Sequence, residues 1–231
     1  GFTGKDMTLK DIDGDGDIDC FFQQESASYP YTKYFDYYEN TGTAIMPNYV
    51  LQAGANDPLD GINDELTLTF VDIDDDGDMD CFGSADPYYG NNNRTLSYYE
   101  NSSGSANILT LSLQTPANNP LNLFVTAYGN GKIAYPTFVD IDGDGDMDCF
   151  IGYTDYGSGA TAKEFVYYEN IGTTLVPSYV LGSSNLIGAV NSMLGGRSFL
   201  GIQFADMDGD GDLDISDVMK KGSGLLKGFF S

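Results

Sequence analysis

The sequence predicts an all-β, propeller-like chain of four-stranded antiparallel blades, each with a D-x-D-x-D-G-x-x-D loop in its first hairpin. Three observations predict it. An aspartate-rich segment recurs four times, as DIDGDGDIDC from Asp11, DIDDDGDMDC from Asp72, DIDGDGDMDC from Asp140 and DMDGDGDLDI from Asp206. A second landmark, YYEN, follows at Tyr37–Asn40, Tyr98–Asn101 and Tyr167–Asn170, offset by 26, 26 and 27 residues from the start of its loop. Between the landmarks the chain breaks into short runs rich in β-branched and aromatic residues, and no segment demands a long helix.

The loop starts lie 61, 68 and 66 residues apart, so the repeat is duplicated sequence rather than an accident of composition. It divides a single repeat domain into blades at 1–62, 63–130 and 131–196, with a partial or divergent fourth at 197–231. In the third unit, four strands are expected over Thr137–Val139, Met147–Ile151, Glu164–Tyr168 and Ser178–Leu181. The acidic loop joins the first two as a hairpin, and Asn-x-Gly at Asn40–Gly42 and Asn170–Gly172 turns the third strand into the fourth. Two smaller landmarks recur: PNYVL and PSYVL at Pro47–Leu51 and Pro177–Leu181, and N-x-P-L at Asn56–Leu59 and Asn118–Leu121. Four antiparallel strands in a repeated unit of this length are how a propeller blade reads.

The loops need a cation. Two carboxylates about 4 Å apart repel by about 1 kcal/mol even in bulk water, and by more where solvent is excluded. In this spacing the first, third, fifth and ninth side chains turn inward on one ion, and a glycine at the sixth place allows the turn that aims the seventh carbonyl inward. The candidate ligands are Asp11, Asp13, Asp15, the Asp17 carbonyl and Asp19, then Asp72, Asp74, Asp76, the Asp78 carbonyl and Asp80. The third loop offers Asp140, Asp142, Asp144, the Asp146 carbonyl and Asp148, and the fourth Asp206, Asp208, Asp210, the Asp212 carbonyl and Asp214. These are hard oxygen ligands, which suit calcium; zinc calls for histidine or cysteine, and the chain has no histidine. About four calcium ions are expected.

Of the 231 residues 41% are hydrophobic, enough for a packed core. The net charge of −25 is mostly a property of the loops, which hold 21 of the 35 acidic residues. Such acidity argues against nucleic acid or an anionic membrane as partner. No apolar run approaches a membrane span, and the start at Gly1, without a charged leader, is read as a mature or trimmed end. Cys20, Cys81 and Cys149 follow the last aspartate of their loops; three thiols at equivalent positions read as small buried hydrophobes rather than disulfide partners.

FVDIDGDGDMDCFIG followed by YYENIGT resembles the FG-GAP or VCBS repeat of bacterial extracellular proteins, itself similar to the calcium-loop blades of integrin α-subunit propellers. The resemblance covers nearly the whole chain. It implies a calcium-stabilised β-propeller, usually of about seven blades, that serves adhesion, glycan binding or scaffolding and is sometimes attached to enzymes. Two departures stand out: three complete units are followed by a fourth that stops before its YYEN, and the phenylalanine-glycine, glycine-alanine-proline signature is not intact. After Asp214 the chain runs ISDVMKK, with Asp217 at the twelfth loop position, which resembles a dockerin or EF-hand half followed by a helix. GIQFAD before that loop aligns with LTFVD and PTFVD of the earlier units, which favours a divergent last blade.

No catalytic set is visible. There is no G-x-S-x-G elbow, and Glu39, Glu100 and Glu169 recur in every complete unit, as strand-end residues would. The expected function is that of a calcium-binding extracellular or cell-surface scaffold, acting in adhesion or self-assembly with itself or other extracellular proteins. Calcium near millimolar levels fills such loops outside a cell, whereas the cytosol would leave them empty. Glycan binding through tyrosine-rich stretches is the alternative, using Tyr29, Tyr31 and Tyr34, then Tyr88 and Tyr89, then Tyr153 and Tyr156; a fragment of a larger secreted enzyme is a further one. The partial last unit and the apolar GLLKGFF predict end-to-end association, which builds filaments if it does not close. Asn93-Arg94-Thr95 and Asn101-Ser102-Ser103 are glycosylation sequons.

Overall fold

The structure, a computed structural model, describes residues 7–27, 29, 32–63, 65–85, 96–102, 109–128, 132–155, 163–183, 188, 202–206, 213–217 and 225–226. Three four-stranded antiparallel sheets follow the chain order. The first contains β1 (Met7–Lys10), β2 (Asp19–Glu25), β3 (Lys33–Asn40) and β4 (Tyr49–Leu51). The second contains β5 (Glu65–Val71), β6 (Asp80–Ala85), β7 (Ser97–Asn101) and β8 (Leu111–Leu113). The third contains β9 (Lys132–Val139), β10 (Asp148–Asp155), β11 (Lys163–Asn170) and β12 (Tyr179–Leu181). A three-stranded sheet of β13 (Ile202–Ala205), β14 (Asp214–Asp217) and β15 (Leu225–Leu226) closes the described chain. The four strands expected in the third unit are all present, β9 and β10 being longer than their apolar cores. After the fourth loop the chain runs as β14, with Asp217 opposite Ile202 of β13, and not as the helix of an EF-hand.

Alternation along each strand gives every sheet two unlike faces. Phe21 and Tyr37 are direct cross-strand partners, as are Phe82 and Tyr98, and Phe150 and Tyr167. Cys20 and Tyr38, Cys81 and Tyr99, and Cys149 and Tyr168 pair beside them on the opposite face. The phenylalanine face of one sheet packs on the cysteine face of the next. Phe21 and Tyr37 share a core with Leu68, Phe70, Cys81 and Tyr99 of the second sheet. Phe82 and Tyr98 share another with Ala134, Cys149, Ile151 and Tyr168 of the third. Phe150 then meets Phe204 of β13 at 4.8 Å between ring centres. Each buried phenylalanine contributes about 2–3 kcal/mol, so this repeated face is a main source of stability. The cysteines are buried and free, as small hydrophobes in these interfaces.

Hydrogen bonds fix the offset between sheets. Thr69 Oγ1 donates to the Pro136 carbonyl (3.3 Å) and Thr137 Oγ1 to the Ile202 carbonyl (2.8 Å), from equivalent positions on β5 and β9. The Ala134 amide donates to Ser84 Oγ (2.8 Å). The first strands of all four sheets line one cavity of about 670 Å3, to which β1 gives Thr8, β5 Thr69, β9 Thr137 and β13 Gln203.

Among the described residues the connectors hold two 3-10 turns, Gly54–Asn56 and Pro116–Asn118, and one short helix. Helix α1 (Asn122–Tyr128) lies between the second and third sheets, with Phe124 fully buried against Tyr128 (4.9 Å) and Tyr153 (5.6 Å). Leu121, Phe124, Val125 and Tyr128, spaced as one helical face, are the side chains it turns inward. The N-x-P-L landmark precedes it. Asp57 and Asn119 each accept the amide two residues on, at 2.9 Å, in a turn that drives Leu59 and Leu121 into the core.

Candidate metal centre

Each of the first three loops departs from its first strand on a backbone that most side chains resist. Its fourth and sixth residues have positive φ: Gly14 at 72° and Gly16 at 93°, Asp75 at 52° and Gly77 at 92°, Gly143 at 75° and Gly145 at 96°. This is why the loops alternate aspartate with glycine. Asp75 is the exception, and aspartate is among the few non-glycine residues that visit this region.

The tight turns fold the carboxylates inward. Asp11 Oδ1 accepts the Gly14 amide (2.8 Å) and Oδ2 the Gly16 amide (3.0 Å). Asp72 does the same with Asp76 (3.2 Å) and Gly77 (3.1 Å), and Asp140 with Gly143 (2.8 Å) and Gly145 (3.0 Å). The second loop residues Ile12 and Ile73 are buried and pin their loops to the core. As a result Asp11, Asp13 and Asp15 form a group whose carboxylate oxygens lie within 4.8 Å of one another, as do Asp72, Asp74 and Asp76, and Asp140, Asp142 and Asp144. Each of the three groups can hold a metal ion. In the fourth loop Asp206 and the backbone of Asp214 are described, while Asp208, Asp210 and Asp212 lie outside the described residues.

Comparison of the chain with protein-family models, with curated proteins and with solved structures gave no match. The chemistry of the loops therefore rests on their own geometry.

The ninth aspartates of the first three loops stand apart from the triads and are buried. Asp19 Oδ1 accepts the Asn40 amide (2.8 Å), and its Oδ2 accepts the Tyr37 hydroxyl (3.1 Å) and the Ile12 amide (3.4 Å). Asp80 accepts the Asn101 amide (2.7 Å) and the Tyr98 hydroxyl (3.0 Å). Asp148 accepts the Asn170 amide (2.7 Å), the Tyr167 hydroxyl (3.1 Å) and the Ile141 amide (3.4 Å). A carboxylate has about four lone-pair sites, so each keeps capacity for an ion while it ties the loop to the third strand. Here YYEN finds its meaning. Its first tyrosine and its asparagine amide hold the ninth aspartate, and the asparagine side chain accepts two further amides: Gly42 (3.1 Å) and Asn48 (2.8 Å) on Asn40, Gly172 (3.1 Å) and Ser178 (2.8 Å) on Asn170. The fixed offset between loop and YYEN was the visible trace of this partnership; the donors themselves were not assignable from spacing.

Two observations fit a cation. Asp146 is buried beside Asp140, Asp142 and Asp144, and its Oδ1 accepts no hydrogen bond among the described residues. A buried acceptor in that state is costly unless a cation, a proton or a water meets it, and the three carboxylates beside it favour the cation. Burial also pushes Asp13 up to about 6, helped by the negative charge of Asp19, and pushes Asp148 up to about 6 and Asp80 up to about 7 against the hydrogen bonds each accepts. Carboxyls that folding raises from 3.8 take up protons on folding, so their contribution to the ion-free fold is full below about 3.8 and is lost as pH rises through 6 to 7. A bound cation reverses the sign, because it favours the carboxylates. In chelator the melting temperature is expected to be higher at pH 5 than at pH 7.5, and in millimolar calcium lower. The same slope under both conditions would contradict it.

The remaining candidates divide. Tyr153 is buried in the core between the second and third sheets and cannot meet a glycan; Tyr29 and Tyr34 are exposed. Tyr31, Tyr88, Tyr89 and Tyr156 lie outside the described residues, as does the Asn93 sequon. Asn101 is buried, and its Oδ1 accepts the Thr110 amide (2.9 Å), so the second sequon is closed to a glycan in the folded chain.

Proposed function

We propose that this chain is a calcium-rigidified β-propeller module of the FG-GAP or VCBS type, working outside the cell as a scaffold or adhesion unit. The observation that carries it is the recurrence of one aspartate triad at the same place in three sheets. Calcium fits the set best: the ligands are all oxygen and each triad gathers three carboxylates on one ion, whereas magnesium keeps several of its waters and takes only one or two carboxylates. The propeller reading is supported by the face-to-face order of the sheets and by the cavity that their first strands share. Adhesion is supported by the apolar tips between third and fourth strands, where Ile45 is 90% exposed, Met46 74%, Leu175 63% and Val176 69%.

Isothermal calorimetry of the full chain tests the metal. Calcium is expected to bind at three or more sites, with dissociation constants on the order of 10⁻⁴ to 10⁻³ M or tighter, and magnesium more weakly. No heat with calcium, or tighter binding of magnesium, would refute it.

A further inference from the structure

In each of the first three loops the ninth aspartate begins a line of contacts that ends at the next loop. In the first sheet Tyr37 donates to Asp19 and lies opposite Phe21, whose ring is 5.1 Å from Phe70 on β5. In the second, Tyr98 donates to Asp80, its ring lies 5.0 Å from Phe82, and Phe82 lies 5.1 Å from Phe138 on β9. In the third, Tyr167 donates to Asp148 and stacks at 4.7 Å on Phe150, which is 4.8 Å from Phe204 on β13. Phe70, Phe138 and Phe204 each stand two residues before the first candidate ligand of the following loop, Asp72, Asp140 and Asp206.

We propose that these lines couple neighbouring metal loops, so that an ion in one loop raises the affinity of the next; this rests on the calcium reading above. An ion held by a triad draws on the remaining lone pair of the ninth carboxylate and fixes it. The tyrosine hydroxyl then donates to a fixed anion, which sets its ring, and outer partners of this kind orient the groups a metal needs. The ring packs on a phenylalanine in a dense core that transmits displacement rather than absorbing it. That phenylalanine seats the strand end from which the next loop departs. The first ion therefore meets an ordering cost that the second finds partly met, and the effect is reciprocal. The orphan Oδ1 of Asp146, buried beside the third triad, is the independent sign that a ligand belongs there. Tyr37, Tyr98 and Tyr167 are positioning residues in this scheme and touch no ion.

A double-mutant cycle on the full chain, read by calcium calorimetry, tests the coupling. Asp144→Ala removes the third site and is expected to weaken at least one remaining site about fivefold or more. Tyr98→Phe keeps the ring and loses only the donor on the line between the second and third loops; in that background Asp144→Ala is expected to leave the affinity of the second site unchanged, while the Tyr167 line to the fourth loop stays in place. Asp144→Asn, which keeps the shape of the side chain, provides a second way to weaken the third site without unfolding its turn. A second-site affinity that ignores both Asp144 substitutions, or that falls equally with and without the Tyr98 hydroxyl, overturns the coupling and leaves the metal reading intact. An intact chain that binds no calcium overturns both.

Discussion

Chelation of divalent ions is expected to lower the melting temperature by roughly 20 °C. An ion present at one hundred times its dissociation constant stabilises the folded state by about 2.7 kcal/mol per site, so three sites supply about 8 kcal/mol. For a chain of this size each kcal/mol moves the midpoint by about 2–4 °C. The ion-free loops add to the loss, because carboxylate oxygens gathered within 4.8 Å repel once nothing positive lies between them. Differential scanning calorimetry in calcium at one hundred times the dissociation constant found by titration, and in excess chelator, measures the difference. A shift under about 5 °C would mean that the triads do not stabilise this fold through a metal.

Phe82→Ala is expected to cost about 3–5 kcal/mol. Phe82 is 1% exposed and lies between Tyr98 of its own sheet and Phe138 of the next, so its removal leaves a cavity inside an interface and not on a surface. The flanking strands are held by ladder hydrogen bonds and close little of that space. Ile45→Ala, at a tip 90% exposed, is expected to change stability by no more than about 0.5 kcal/mol. Denaturant unfolding of both variants in saturating calcium separates the two. Equal losses would show that the sheets are not held face to face by these aromatic rows.

The loops were legible because aspartate and glycine at fixed spacing have few other physical uses, and the triads formed by the first, third and fifth positions follow that spacing. The ninth position was legible only as a carboxylate. Its donors come from Tyr37 and Asn40, about twenty residues away, and a list of acids does not show where they will be. Strand positions in the third unit followed from apolar runs between turns, although β9 extends back through Pro136, which an edge strand tolerates because the proline's missing amide faces no partner there. Helix α1 escaped notice despite the helical spacing of Leu121, Phe124, Val125 and Tyr128, since seven residues hold too few turns to stand out from a strand-rich background. Alternation also divided each strand into two faces without saying which neighbour each face would meet. The shared cavity was beyond reach for the same reason, being a product of how four sheets assemble.

The first three sheets are asymmetric, and the phenylalanine side of the first meets the cysteine side of the second as that of the second meets the cysteine side of the third. In the language of symmetry this is a heterologous contact made within one chain, and it gives the stack a direction. Nothing in such a contact counts. A further unit inserted between β4 and β5 would present both surfaces that its neighbours require, and would alter the rotation accumulated around the stack without altering the chemistry of any single junction. The number of units is thus a geometric variable, free to change by whole duplications of about sixty to seventy residues, while the packing code at each junction stays constant.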